Sequence, residues 1–243
     1  MNGESTLSMR YGALRERIAA ACRAAGRAPG AVRLLAVSKT FGAHDVLALA
    51  ALGQRAFGES YLQEALPKIT GCANERPDPG LEWHFVGPIQ SNKTRPIAET
   101  FDWVHSVERE KIARRLSEQR PPGRAPLQVC VQVNVSGEAS KSGCAPQEAP
   151  ALARAIAAMP GLALRGVMAI PEPTDDVARQ REQFARVRAV FDAIRAGGLD
   201  VDTLSMGMSD DLEAAIAEGA TIVRVGTALF GARPRAATVP DGA

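Results

Sequence analysis

One stretch of the chain, "LLAVSKT" from Leu34 to Thr40, ends an apolar run on an amine. It reads as a buried strand whose last residues, Ser38, Lys39 and Thr40, emerge at a sheet edge. An ammonium buried without a partner lowers its pKa, and a neutral amine attacks carbonyl carbon. The lysines are only Lys39, Lys68, Lys93, Lys111 and Lys141 against a large arginine excess, so a lysine at a strand end is more than composition.

Two other loops suit an anion. "SMGMSDD" sets Gly207 and Ser209 where a strand gives way to a helix, so N–H groups and a hydroxyl could converge on phosphate at the helix amino end. Asp210 and Asp211 share that turn and would repel phosphate unless they point away, and Ser209 as a plain N-cap fits equally well. "RVGTALFG" repeats the arrangement with Gly226 and Thr227. Arg224, two residues before Gly226, shares its face of the strand and needs a partner there, either a structural salt bridge or a ligand nitrogen or carboxylate. An amine, a phosphate cradle and an inward arginine together suggest a phosphorylated aldehyde held as a Schiff base, with pyridoxal 5'-phosphate the candidate. Arginine beside a pyridine nitrogen disfavours its protonation, which would hold this cofactor while activating it weakly.

Positioning such groups falls to a regular alternation. After an amphipathic helix from about Ser5 to Gly26, with Leu14, Ile18 and Cys22 on one face, eight short apolar runs appear, most followed by helical sequence. They are "RLLAVSK", "AFGES", "WHFVGPI", "WVHSV", "LQVCVQVNV", "LALRGVMAI", "TLSMG" and "TIVRVG". Such alternation implies right-handed crossovers and a parallel sheet, and eight units predict a closed (β/α)8 TIM-type barrel, an α/β fold with an extra amino-terminal helix. An open doubly wound sheet loses support because no GxGxxG follows the first strand. Residues 1–233 form the expected domain, and 234–243, rich in proline and alanine, a disordered tail. In a barrel the site lies at the carboxyl ends of the strands, which brings Lys39, Glu59 and Ser60, Gln90 to Asn92, Asn134, Ser136 to Lys141, Met168 to Pro171, Ser205 to Ser209, Gly226 and Thr227 to one rim. The long helix from about Asp175 to Ala196 buries Val177, Phe184, Val187, Phe191 and Ile194 and presents its arginines to solvent. Trp83, His84 and Phe85 are expected to fill the barrel interior or its helix interface.

Composition narrows the partners. The 243 residues are 46% hydrophobic with a formal charge of +2 and no basic block, so no nucleic-acid surface is expected. Cys22, Cys72, Cys130 and Cys144 lack metal-ligand spacing and His44, His84 and His105 are scattered, which predicts free thiols in a reducing compartment and no metal. Without a membrane-length apolar run or a signal-peptide pattern, the expected location is the cytoplasm, with no membrane partner.

The segments "LLAVSKT", "FGESYLQEALPK", "WHFVGPIQSNKTRPI", "VQVNVSGEASKSG", "GLALRGVMAIP" and "LSMGMSDDLEAAIAEGATIVRVGTALFG" resemble the pyridoxal-phosphate homeostasis proteins, a family similar to the amino-terminal barrel of alanine racemase. The resemblance covers nearly the whole chain. It implies an internal aldimine on Lys39, Arg224 facing the pyridine nitrogen, and phosphate contacts from Ser209, Gly226 and Thr227. It also implies a cofactor carrier or buffer without established turnover, whose partners would be apo forms of enzymes using the same cofactor. Ser60 stands where the family usually has asparagine, so a lost or water-mediated bond to the cofactor ring is expected there. Efficient racemisation is not expected, because the chain ends soon after its eighth strand and its only tyrosines are Tyr11 and Tyr61, which leaves weak racemase activity as the alternative. A Schiff-base aldolase would use Lys39 but leave Arg224 unexplained. Lys141, in "SGEASKSG", is either a solvated loop lysine or an aid to loading and release of the aldehyde. Lacking a second domain to pair through, the protein is expected to be a monomer.

Overall fold

A computed structural model describes residues 2–77, 80–136 and 142–231. Lys141 and the tail from 234 to 243 lie outside the described residues. Helix α1 (Asn2–Ala24) precedes strand β1 (Arg33–Val37), α2 (Ala43–Ala51), β2 (Ala56–Glu59), α3 (Leu62–Glu75) and β3 (Glu82–Phe85). A 3-10 turn (Ser91–Lys93) then leads to α4 (Thr94–Thr100), β4 (Trp103–Val107), α5 (Glu110–Gln119), β5 (Leu127–Gln132) and α6 (Ala149–Ala157). The chain continues through β6 (Leu162–Met168), α7 (Val177–Ala196), β7 (Thr203–Ser205), α8 (Leu212–Ala217), β8 (Ile222–Val225) and α9 (Thr227–Phe230). The strands close in sequence order into one parallel barrel, β8 pairing with β1. This is the expected α/β barrel with its extra helix.

Strand alternation divides the apolar residues into two sets. Phe57, Val104, Val129, Val167, Leu204 and Val223 face outward into a single core shared with the helices. Leu35, Ala56 and Ile222 form one small inner cluster and Trp103, Cys130 and Met168 another, and polar side chains occupy the rest of the inner wall. Helix α7 buries Phe184, Val187, Val190, Phe191 and Ile194 on the core. Val177, expected on that face, is 62% exposed at the first helical position, where Asp176 caps the N–H groups of Ala178 and Arg179. The apolar stripe therefore begins one turn later. Arg179, Arg181 and Arg186 on its outer side pair with Glu172, Glu218 and Glu182. The four cysteines are free and buried.

Two sets of interactions hold the rim. On one side a buried ion pair braces the β1 and β2 ends: Lys68 Nζ, from α3, donates to Glu59 Oε1 at 2.6 Å and to the Ser38 carbonyl at 2.7 Å, and Ser38 Oγ donates to the same carboxylate oxygen at 2.6 Å. The residues immediately before Lys39 and Ser60 are thus fastened to one ammonium. On the other side α1 clamps the last two units. Arg17 pairs with Glu213 and donates to the Ser209 carbonyl at 2.9 Å, while Arg10 donates to the Phe230 carbonyl at 3.1 Å. The opening helix is therefore part of what shapes the β7 and β8 loops.

Burial raises the Glu59 pKa against the opposing pull of Lys68, so its ionised form depends on that partner. Lys68→Met is expected to destabilise the protein by about 3–5 kcal/mol at neutral pH. A carboxyl with a raised folded-state pKa loses stability as pH rises above its unfolded value, so the loss should be larger at pH ~8 than at pH ~5. Urea titration at both pH values checks this, and Glu59→Gln in the same chain should recover part of it. In β6, Gly166 has φ +152°, and a Cβ there would fall on the Thr203 carbonyl of β7. Gly166→Ala is expected to destabilise the fold by at least about 2 kcal/mol in the same titration.

Candidate cofactor site

The β1–β8 register sets Leu35 beside Arg224 and Ala36 beside Val225. Lys39 therefore stands at the same rim as Gly226 and Thr227, one strand away. Gly226 packs so closely on β1 that a Cβ would come 3.1 Å from the Val37 carbonyl oxygen, which favours glycine at this seam. On the other flank, β2 pairs with β1 through Val37 and Gly58, and Ser38 N–H donates to the Gly58 carbonyl at 2.9 Å. Ser60 follows directly, half-buried. Across β8, the Arg224 N–H donates to the Gly207 carbonyl at 2.9 Å, which draws the Ser209 loop alongside.

Lys39 itself is half-buried and sits in a turn two residues beyond the end of β1, so the ammonium is less sealed than the apolar run suggests. Thr40, next to it, has φ +71°, the one non-glycine residue with positive φ among the described residues. A β-branched residue in that region stores roughly 1–3 kcal/mol of strain. The turn is held by Glu64, which accepts from Thr40 N–H at 3.0 Å, and by Phe41 N–H donating to the Ser38 carbonyl at 3.1 Å.

Arg224 is 5% exposed inside the barrel. Nη1 donates to the Ser205 carbonyl at 2.6 Å and to Ser205 Oγ at 2.8 Å, and Nη2 donates to the Ala169 carbonyl at 2.9 Å. It forms no ion pair among the described residues, so a structural salt bridge does not account for it. Burial lowers its pKa to about 10, which leaves it cationic at neutral pH. Three of its five N–H groups have these acceptors, and the remaining two have none among the described residues.

The anion loops differ in detail from the sequence reading. Helix α8 begins at Leu212 with Asp211 in the N-cap position, so Ser209 is not the cap. Asp211 Oδ1 instead accepts from Met208 N–H at 2.6 Å, and Asp210 is exposed. Burial pushes the Asp211 carboxyl up, which reduces the negative charge that could oppose an anion there. Helices of six and four residues, α8 and α9, contribute little macrodipole, so any anion must be met by the individual N–H and hydroxyl groups of Ser209, Gly226 and Thr227.

The rim therefore brings together Lys39, Ser60, Ser209, Gly226 and Thr227 from neighbouring strand ends, with Arg224 beneath them in the wall. These donors suit a planar, phosphorylated aldehyde: an amine, a fixed cation inside the barrel, and N–H and O–H groups at the mouth. Sequence reasoning passed over the Lys68 brace, and although it placed His84 in the barrel interior or its helix interface and Ser205 at the rim, it did not join them through His105 into a chain of inner polar groups. The one signal for the latter was alternation, which sends Glu82 with His84 and Trp103 with His105 to the same strand faces.

Residues 10–234 match the family model described as alanine racemase, N-terminal domain. A Pseudomonas aeruginosa protein named pyridoxal phosphate homeostasis protein is 62% identical over 229 residues, 94% of this chain and 96% of that one. An Escherichia coli K12 protein of the same name is 50% identical over 220 residues, 90% of this chain and 94% of its own. Among solved structures, PipY of Synechococcus elongatus with PLP bound is 35% identical at a TM-score of 0.80, over 93% of this chain and all of that one (100%). Alanine racemase from Corynebacterium glutamicum, 19% identical at a TM-score of 0.64 over 93% of this chain and 62% of its own, shares the fold alone. By both the matched domain and these relatives, the chain belongs to the pyridoxal phosphate homeostasis protein family, built on the alanine racemase N-terminal domain.

Proposed function

We propose that this chain binds pyridoxal 5'-phosphate as a Schiff base on Lys39 and acts in the cytoplasm, as a monomer, to hold the cofactor and supply or sequester it for apo-enzymes. The observation that carries this reading is Arg224, a buried cation with no ion-pair partner among the described residues and with N–H groups left for a ligand. A guanidinium facing a pyridine nitrogen keeps that nitrogen unprotonated and weakens the ring as an electron sink. Holding is thereby favoured over turnover. When bound, the cofactor supplies an aldehyde carbon to which a lysine amine adds with loss of water. Around it Ser209, Gly226 and Thr227 take the phosphate, and Ser60 approaches the ring. The relatives that carry the homeostasis name, and PipY with PLP bound, support the same reading. No helix among the described residues is long and apolar enough to cross a membrane.

A weak racemase is the second reading, favoured by Tyr61, which is 50% exposed and directly follows Ser60 at the rim. Tyr11 cannot serve, since its hydroxyl donates to Gln54 just before the start of β2. With Lys39 as the main base, turnover would be a trace.

Borohydride treatment of the protein loaded with pyridoxal 5'-phosphate, followed by peptide mass spectrometry, should place the reduced adduct on Lys39 and find none in Lys39→Ala. An adduct on another lysine would overturn the assignment. The loaded wild type should restore an apo-acceptor enzyme while showing no amino-acid racemisation beyond a trace, and efficient turnover would favour the second reading. Ser60→Asn is expected to retain more cofactor than wild type on dialysis, whereas equal retention would remove Ser60 from the site.

A further inference from the structure

A line of hydrogen bonds crosses the barrel interior from Arg224 to the opposite mouth. Arg224 Nη1 lies 2.8 Å from Ser205 Oγ, Ser205 Oγ 2.7 Å from His105 Nδ1, His105 Nε2 2.8 Å from His84 Nδ1, and His84 Nε2 2.5 Å from Glu82 Oε1. Glu82 also pairs with Arg33 at 2.7 Å, and its side chain is 31% exposed at the amino end of β3. His84 and His105 have no exposed surface.

The two ends dictate the direction of every bond between them. A guanidinium only donates, so Ser205 Oγ accepts from Arg224 and has one proton to give. His105 Nδ1 is the acceptor available to it among the described residues, which leaves the His105 proton on Nε2. From the other end, a carboxylate only accepts, so His84 carries its proton on Nε2 and offers a bare Nδ1 to the Nε2–H of His105. Starting from either end gives the same tautomer for both rings. Burial agrees: it lowers the pKa of His84 and, with His84 and Arg224 nearby, holds that of His105 well below the usual range. Burial alone would raise the Glu82 pKa, but the His84 N–H and Arg33 hold it down at about 2. The other charged or titratable groups acting on this line are Arg33, Asp102, Asp211, Cys130 and Arg165.

We propose that Glu82, His84, His105 and Ser205 form a one-directional hydrogen-bond chain that positions Arg224, holding its guanidinium as a fixed donor for the ring nitrogen of the bound cofactor. The proposal rests on the reading that pyridoxal 5'-phosphate occupies the rim beside Lys39. These four are positioning residues. If Ser205 Oγ could turn away, one guanidinium N–H would lose its acceptor and the fork would be held by the Ser205 and Ala169 carbonyls alone.

The chain is tested in the cofactor-free protein by long-range 15N–1H correlation of the histidine rings. His84 and His105 should both be neutral Nε2–H tautomers from about pH 5 to 8. A proton on Nδ1 of either ring, or titration of either in that range, overturns the chain. In Glu82→Ala the Arg224 end still directs the chain, so both rings should keep the proton on Nε2 while the His84 Nε2–H signal moves with loss of its acceptor; a proton on Nδ1 of either ring in this variant also counts against it. In the loaded protein, Ser205→Ala should weaken cofactor retention roughly tenfold, the weight of one charge-assisted hydrogen bond, and move the visible absorption maximum, while Ser205→Thr keeps both near wild type. Wild-type retention and spectrum in Ser205→Ala would overturn the positioning role. If the wild type itself retains no cofactor, the cofactor reading and the positioning role fall together, and the histidine spectra still decide the chain.

Discussion

A cation that stays charged at neutral pH, enclosed by eight parallel strands, obliges the surrounding wall to supply oxygen acceptors. Arg224 meets them on β7 and just beyond β6, in the two carbonyls and one hydroxyl it binds. Apolar filling would be the simpler solution for so narrow a barrel, and Leu35, Ala56 and Ile222 provide it over part of the inner wall. The polar part exists because the guanidinium does. From it a line of hydrogen bonds runs through two neutral histidines to Glu82, whose own charge is paired with Arg33.

The rim above depends on a different device. Lys39 and Ser60 follow residues tied to the Lys68 ammonium, and Thr40 is kept in an unfavourable backbone region by Glu64. A turn held in this way gives an amine a defined place without burying it in the sheet. On the opposite side α1 reaches the Ser209 and Phe230 carbonyls through Arg17 and Arg10. The loops that carry the candidate ligands are thus fastened from outside the barrel, while Arg224 is fastened from inside.

Much of this was legible in the amino-acid order. Eight apolar runs separated by helical sequence are a local pattern, and closure follows from how parallel crossovers must turn. Lys39, Gly226 and Thr227 were legible as strand-end residues for the same reason. Val177 shows the limit of periodicity: it has the right spacing for the apolar face of α7 yet lies in the capped first turn, before the helix meets the core. The role of Ser209 shows another. A serine before acidic residues reads as a cap, but Asp211 holds that position because the loop's own N–H at Met208 binds its carboxylate.

Pairings between distant residues were not legible. Glu59 with Lys68, and Ser205 with His105 a hundred residues earlier in the chain, depend on which strand ends and helix faces meet after closure. The sequence by itself determined the kind of fold, the rim on which chemistry-bearing residues collect, and the need of an arginine in the last strand for a partner. Only the tertiary structure decided what that partner is. Strand alternation assigns a side chain to a face, but barrel shear and register determine which side chain on the next strand stands within 3 Å of it, and hydrogen bonds form only at that range.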